Sequence, residues 1–294
     1  PSERPMQSRC CFACVAVLCI SWFLARWLPQ PFPDRLEVIQ ESSTTIDNVQ
    51  PYDSVEKWSP TGIQAGLHLM NPHRVNYFDG LIRKLLKPPF HVLDIGCGGG
   101  LVSNALATLK GYESIHGVDL SHAALRYAKA EAERRNLSLV SFDHASVYEL
   151  PFENSSFNAV VMSDVLEHML DLVGALKEVA RILKPGGIMV FDTINRSPMA
   201  FIVAILGAEY ITGIISKGSH DWRLFIRPEE LENALDLAGF RNLSYEAFDP
   251  STRALVELTL FSMGALSAGT MKGEWRIDPP SATMISYIGH AFRT

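Results

Sequence analysis

The sequence predicts an α/β protein, an open and mostly parallel sheet with helices on both faces, and three observations carry that expectation. Short apolar runs alternate with helix-period segments through the middle of the chain, the pattern of strand, helix and strand wound in one direction. The first run, Val92, Leu93 and Ile95, ends in Gly96-Cys97-Gly98-Gly99-Gly100, which opens a helix-like segment. A later helix stops at Lys184-Pro185-Gly186-Gly187, directly before another apolar run.

Taken in order, the elements fill a Rossmann-like plan of seven strands. The glycine corner leads into a helix over residues 101–110, and a second strand at 114–119 ends in Asp119. A helix at 122–135 and a strand at 137–142 follow, then a fourth strand at 159–163. The helix at 172–183 repeats apolar residues at three- and four-residue spacing (Leu172, Leu176, Val179, Leu183), which buries one stripe against the sheet. Strand five is Ile188-Met189-Val190-Phe191. After it comes an apolar insert, residues 198–215, whose single charge is Glu209. Pro228 near a helix start and Gly239 near its end bound one more helix, and residues 241–248 and 252–261 read as the last two strands. The tail at 273–293 shows no clear pattern.

Composition narrows the function. The 294 residues carry a net charge of −6 and no long Lys/Arg run, which argues against a protein that grips nucleic acid by its phosphates. Four of the five cysteines lie within the first twenty residues and the fifth is Cys97. The folded part thus has no cysteine pair to oxidise, in keeping with a reducing compartment. Residues 1–28 hold an apolar stretch that is short for a bilayer span of about 20 residues, with arginines around it, and read as a targeting or anchor segment. Residues 29–51, with Pro29, Pro31 and Pro33 followed by a polar stretch, read as a linker, and 52–294 as one catalytic domain.

Candidate site residues gather at the carboxyl ends of the expected strands, where open α/β sheets bind ligands. At the first corner, bare glycine backbone and the amides of a helix start face one space. A dinucleotide site expects Gly-x-Gly-x-x-Gly, but the third position here is Leu101; the series is instead Asp94-x-Gly96-x-Gly98-x-Gly100. Asp119 presents two acceptor oxygens suited to a ribose diol. Arg74, on a helix ahead of the first strand, has the two-pronged geometry that matches a carboxylate, and equally suits a solvated helix face. If a helix begins after strand four, Asp164, Glu167 and His168 share one face at i, i+3 and i+4. Two carboxylates and an imidazole there suit a divalent ion, although one imidazole is unusual for Mg²⁺; they equally suit a helix start with favourable acids and a packed histidine.

The glycine series resembles motif I of S-adenosylmethionine-dependent methyltransferases, and a Pro-Gly-Gly stop before strand five is similar to the same fold. Four segments narrow the resemblance: Gly66-Leu67-His68-x-x-Asn71-Pro72-x-Arg74, the corner itself, Asp164-x-x-Glu167-His168, and Thr193-x-Asn195-Arg196 through Gly207-Ala208-Glu209-Tyr210 to Lys217-Gly218-x-His220-Asp221. Together they resemble the ubiquinone-biosynthesis O-methyltransferase family, which methylates polyprenyl catechols and 3-demethylubiquinol. The resemblance implies a Rossmann-like, seven-stranded methyltransferase sheet with an apolar insert after strand five. It implies S-adenosylmethionine contacts at Arg74, Asp94, Gly96, Gly98, Asp119 and Ser163. It further implies magnesium at Asp164, Glu167 and His168, with Glu167 and His168 as catalytic residues, either of which could take a proton if no metal binds. Asp164 stands where the family usually has Glu, and Ile285-Ser286-Tyr287 where it has Val-Asn-Tyr. The implied setting is the matrix side of the mitochondrial inner membrane, peripherally bound through 198–215, with a polyprenylated substrate, other ubiquinone-biosynthesis proteins as partners and no nucleic acid. A methyltransferase of the same fold acting on a soluble molecule, and a non-catalytic cofactor-binding subunit of a quinone-synthesising complex, are the alternatives.

Overall fold

The computed structural model describes residues 54–294, apart from residues 61, 63 and 64. The expected leader and linker, residues 1–51, lie outside the described residues. The described strands are β1 (Phe90–Ile95), β2 (Tyr112–Asp119), β3 (Val140–His144), β4 (Phe157–Ser163), β5 (Leu183–Ile194), β6 (Phe240–Pro250), β7 (Trp275–Asp278) and β8 (Ser286–Arg293). They form one sheet in the order β3-β2-β1-β4-β5-β8-β6-β7. The first five run parallel, while β8 lies antiparallel between β5 and β6.

The α-helices that position the site are α1 (Ala65–Leu85), α2 (Leu101–Leu106), α3 (His122–Arg134), α4 (Leu172–Ile182), α5 (Pro228–Leu237) and α6 (Thr252–Ser262). One sheet face is packed by a cluster that joins Leu93, Val160 and Met189 to Leu176 and Val179 of α4 and Leu231 and Leu235 of α5. The other face joins Val92, Val161 and Val190 to Phe78 and Ile82 of α1 and to Val102 and Leu106 of α2. Successive strand residues thus serve opposite faces, so both sides of the central strands are dry. The strand order changes direction at β1, whose neighbours are β2 on one side and β4 on the other, and a crevice opens there at the carboxyl ends.

The sheet class is the expected one, with two differences in detail. Residues 252–261 form helix α6 and not a strand, because Ser251 directly after β6 accepts a hydrogen bond from the Ala254 amide and caps a helix whose Ala254 and Leu258 turn inward together. The unpatterned tail supplies β7 and β8, giving eight described strands against the seven expected. Strand β8 is legible only in its partners: Tyr287, Ile288 and Ala291 are buried between β5 and β6.

Candidate active site

The glycine corner forms as its sequence demands. Gly96 and Gly98 have φ of 66° and 52°, and a Cβ on either would stand 2.4 Å from Val165 or 2.2 Å from the Trp58 ring. Trp58 is thus packed flat against the loop, held further by its carbonyl, which bonds His68 Nε2 of α1 at 2.8 Å. Asp119, at the tip of β2, accepts the Gly98 amide at 2.8 Å on one oxygen and the Ser121 amide at 2.7 Å on the other. These bonds fix the carboxylate beside the loop. Asp94 is buried under the loop, where Ser103 Oγ of α2 donates to it at 2.5 Å; burial pushes its carboxyl up to about 7, against that hydrogen bond.

A cavity of about 490 Å³ runs from this corner to the insert. Arg74, Gly96, Gly98, Asp119, Ser163, Asp164 and His168 all line it. Asp94 and Glu167 are not among its lining residues; both are buried behind the wall. Ser146 forms a bridge with Glu149 and is likewise not among the lining residues.

The expected shared face of Asp164, Glu167 and His168 does not form. Asp164 has a φ of 51°, so the chain leaves β4 through the left-handed region, and only a single 3₁₀ turn (Leu166–His168) follows. The three side chains part company. Asp164 Oδ2 accepts from Arg74 Nη2 at 2.6 Å. Glu167 Oε2 accepts from Thr193 Oγ1 at 2.7 Å, and its other oxygen is buried without a hydrogen-bond partner. The His168 ring stacks on His220, centroids 5.3 Å apart. Among the described residues no group of three or more His, Cys, Asp or Glu side chains is placed to hold a metal ion. The magnesium expectation at this turn therefore does not fit the donor geometry: one carboxylate is committed to a guanidinium, and another is aimed at a buried threonine.

What stands in that place is an arginine between two acids. Arg74 Nη2 also donates to Asp192 Oδ2 at 2.7 Å, and Ser163 Oγ donates to the second Asp192 oxygen at 2.7 Å. Burial opposes the charge on Arg74, but Asp164 and Asp192 together hold the guanidinium even more firmly protonated than usual. Burial would raise Asp164 as well, yet Arg74 carries it below its ordinary range. Asp192 moves the other way, pushed up by burial and by the neighbouring Asp164 charge despite Arg74. Burial and the Asp164 charge likewise push Glu167 up to about 8. Asp192 was not a sequence candidate, although an acid closing the apolar run of β5 at a carboxyl strand end is a signal that finds it.

The far wall is apolar and comes from two segments. A helical turn at Pro198–Ala200 continues into a π-helix (Phe201–Ile211), which gives Ile202, Val203 and Ala204 to the cavity; α6 gives Leu255, Leu258 and Thr259. Within this apolar insert Glu209 is buried and bonded to His220, whose ring also lines the cavity. Ser286, where the resembling family has asparagine, lines it too and donates its hydroxyl to the Phe248 carbonyl.

Residues 93–191 match the family model described as a methyltransferase domain. A ubiquinone biosynthesis O-methyltransferase of Dinoroseobacter shibae is 39% identical over 195 residues, a match spanning 63% of this chain and 77% of that protein. The protein of the same description from Marinobacter nauticus is 37% identical over 201 residues, 67% of this chain and 82% of that one. The chain belongs to the ubiquinone biosynthesis O-methyltransferase family. It is an S-adenosylmethionine-dependent methyltransferase, and the glycine corner, switch-point crevice and fixed Asp119 carboxylate fit that cofactor. Solved structures agree on the fold. A possible histamine N-methyltransferase from Thermotoga maritima aligns with a TM-score of 0.54 at 18% identity, covering 79% of this chain and 91% of that one. A putative methyltransferase in complex with the Haloferax volcanii Trm112 activator aligns at 0.54 with 19% identity, covering 83% and 97%.

Proposed function

We propose that this enzyme moves a methyl group from S-adenosylmethionine to a catechol-type hydroxyl of a polyprenylated ubiquinone precursor, 3-demethylubiquinol and polyprenyl-dihydroxybenzoate being the substrate class. The observation that carries the reading is the single cavity whose one end is the amide-lined glycine corner and whose other end is the apolar insert. A soluble acceptor has no use for such a wall, whereas a hydrocarbon tail does.

When bound, S-adenosylmethionine supplies an electrophilic methyl on a sulfonium. In this reading the residues around it each do one task. The loop amides and Asp119 hold the nucleoside end, the carboxylate accepting the ribose hydroxyls. Arg74, fixed between Asp164 and Asp192, presents the rest of its guanidinium to the methionyl carboxylate. Trp58 and the buried Val165 close the loop from both sides and keep water off the reacting atoms. Holding donor and acceptor in line then converts a bimolecular displacement into one that needs little further ordering.

The membrane setting belongs to the same proposal. The insert exposes Leu206, Tyr210 and Ile211 beside the cavity mouth, an arrangement suited to lying on a lipid surface and receiving a tail from it. No described helix is long and apolar enough to cross a membrane. With residues 1–28 read as a targeting segment, the proposed place is the matrix face of the mitochondrial inner membrane, beside other enzymes of the same pathway. The quinone profile of cells lacking the protein tests the function: a catechol-headed prenyl precursor accumulates. A normal quinone pool in such cells rejects the reading.

A further inference from the structure

Glu209 is the one charge in an otherwise apolar insert, and its side chain is 1% exposed. Burying a carboxylate there is costly unless it is fully bonded. Its bonds are specific: one oxygen accepts from His220 Nδ1 at 2.8 Å and from the His220 amide at 3.0 Å, and the other accepts from the Gly218 amide at 2.7 Å. All three partners are nitrogens, and the two amides can only donate, so the carboxyl serves as an acceptor. That sets the proton of a neutral His220 on Nδ1 and leaves the Nε2 lone pair on a ring that lines the cavity. The edge of Phe225, its ring centroid 5.8 Å away, and the stacked His168 fix the plane of that ring.

We propose that His220 is the general base that takes the proton of the acceptor hydroxyl, and that Glu209 is its positioning residue. The proposal rests on the catechol reading above and deepens it. As the phenol oxygen forms its bond to the methyl carbon, the C–S bond breaks, its electron pair stays on sulfur, and the phenolic proton moves to Nε2. Glu209 then faces an imidazolium it stabilises, and the proton leaves to solvent when product departs.

The neighbouring groups are poorer candidates. His168 is held neutral, its basicity lowered to about 3 by burial and by His220. Asp164 is bound to Arg74, and Glu167 lies behind the wall on Thr193. The charged or titratable groups around His220 are thus Glu209 from the insert, and His168 and Asp164 from the turn after β4. The segment is also outside the matched methyltransferase domain, as expected of a device tied to one acceptor chemistry.

The test is a set of kcat/KM pH profiles on a prenylated dihydroxybenzoate for the unmodified enzyme, His220→Gln, His168→Gln and Glu209→Gln, with S-adenosylhomocysteine binding measured alongside. His220→Gln is expected to lose about 100-fold or more and to lose the acidic limb while still binding S-adenosylhomocysteine. A ring-nitrated substrate, whose hydroxyl is already ionised at neutral pH, recovers most of that loss. Glu209→Gln is expected to cost about tenfold or more and to move the acidic limb to lower pH, since the imidazolium loses its counter-charge. His168→Gln slows the reaction but keeps the limb. A His220→Gln enzyme within about threefold of the original, or a loss that the nitrated substrate does not recover, overturns the base while leaving the catechol reading intact. Should His220→Gln fail to bind S-adenosylhomocysteine, an unshifted limb in Glu209→Gln overturns it instead. No turnover of any catechol by the unmodified enzyme overturns both.

Discussion

The two ends of the cavity are built on different plans. The donor end is local in sequence: β1, its glycine loop and α2 lie within residues 90–106, and Asp119 follows at the tip of the next strand. The acceptor end is assembled from afar, with the insert supplying Glu209, the segment after it His220, α6 Leu258 and the tail Ser286, while Arg74 of α1 and Asp192 of β5 pair where the two ends meet. The first is a shape that backbone amides and missing side chains create. The second depends on an apolar wall and a buried charge that only distant segments bring together.

That contrast predicts a graded set of failures. The largest belongs to Arg74→Met, which strands Asp164 and Asp192 without their shared cation; a loss of about 3–5 kcal/mol in unfolding free energy is expected in denaturant titration. If stability is unchanged, the two acids are not what holds this part of the cavity together. Asp119→Ala removes two loop-fixing bonds from the donor end. We expect about 1.5–3 kcal/mol, or tenfold or more, in S-adenosylhomocysteine affinity with little change in acceptor KM, read by calorimetry.

A smaller effect separates the two ends by pH. Glu167 keeps its proton in the folded state up to about 8, against an ordinary value near 4.5. The folded state therefore binds more protons between those values, so stability present below pH 4.5 is lost as pH rises through 8. Glu167→Gln should flatten the fall of Tm from pH 5 to 8, and the Asp192 contribution should leave part of the slope; an unaltered slope places the titration elsewhere. Smallest of all, Leu206→Asp on the exposed face of the insert should weaken vesicle binding a fewfold and leave turnover of a short-tailed acceptor unchanged.

The same contrast explains what the sequence could disclose. The donor corner was legible because glycine spacing and a strand-terminal acid are local marks with a steric cause. The shared face of Asp164, Glu167 and His168 was not, because its logic required a helix and the backbone turns left-handed at Asp164, sending each side chain to a partner from another element. Helix α6 was missed for a similar reason: its alternating apolar residues mimic a strand, and only the Ser251 cap decides otherwise. Trp58 carries no motif at all, and its role against the glycine loop exists only once α1 is docked.

Methyl transfer to a prenylated catechol, set beside transfer to the same ring with its tail replaced by a methyl group, tests the central claim most directly. An apolar wall that seats the tail predicts a kcat/KM at least 100-fold higher for the prenylated ring. Equal rates on the two would contradict it.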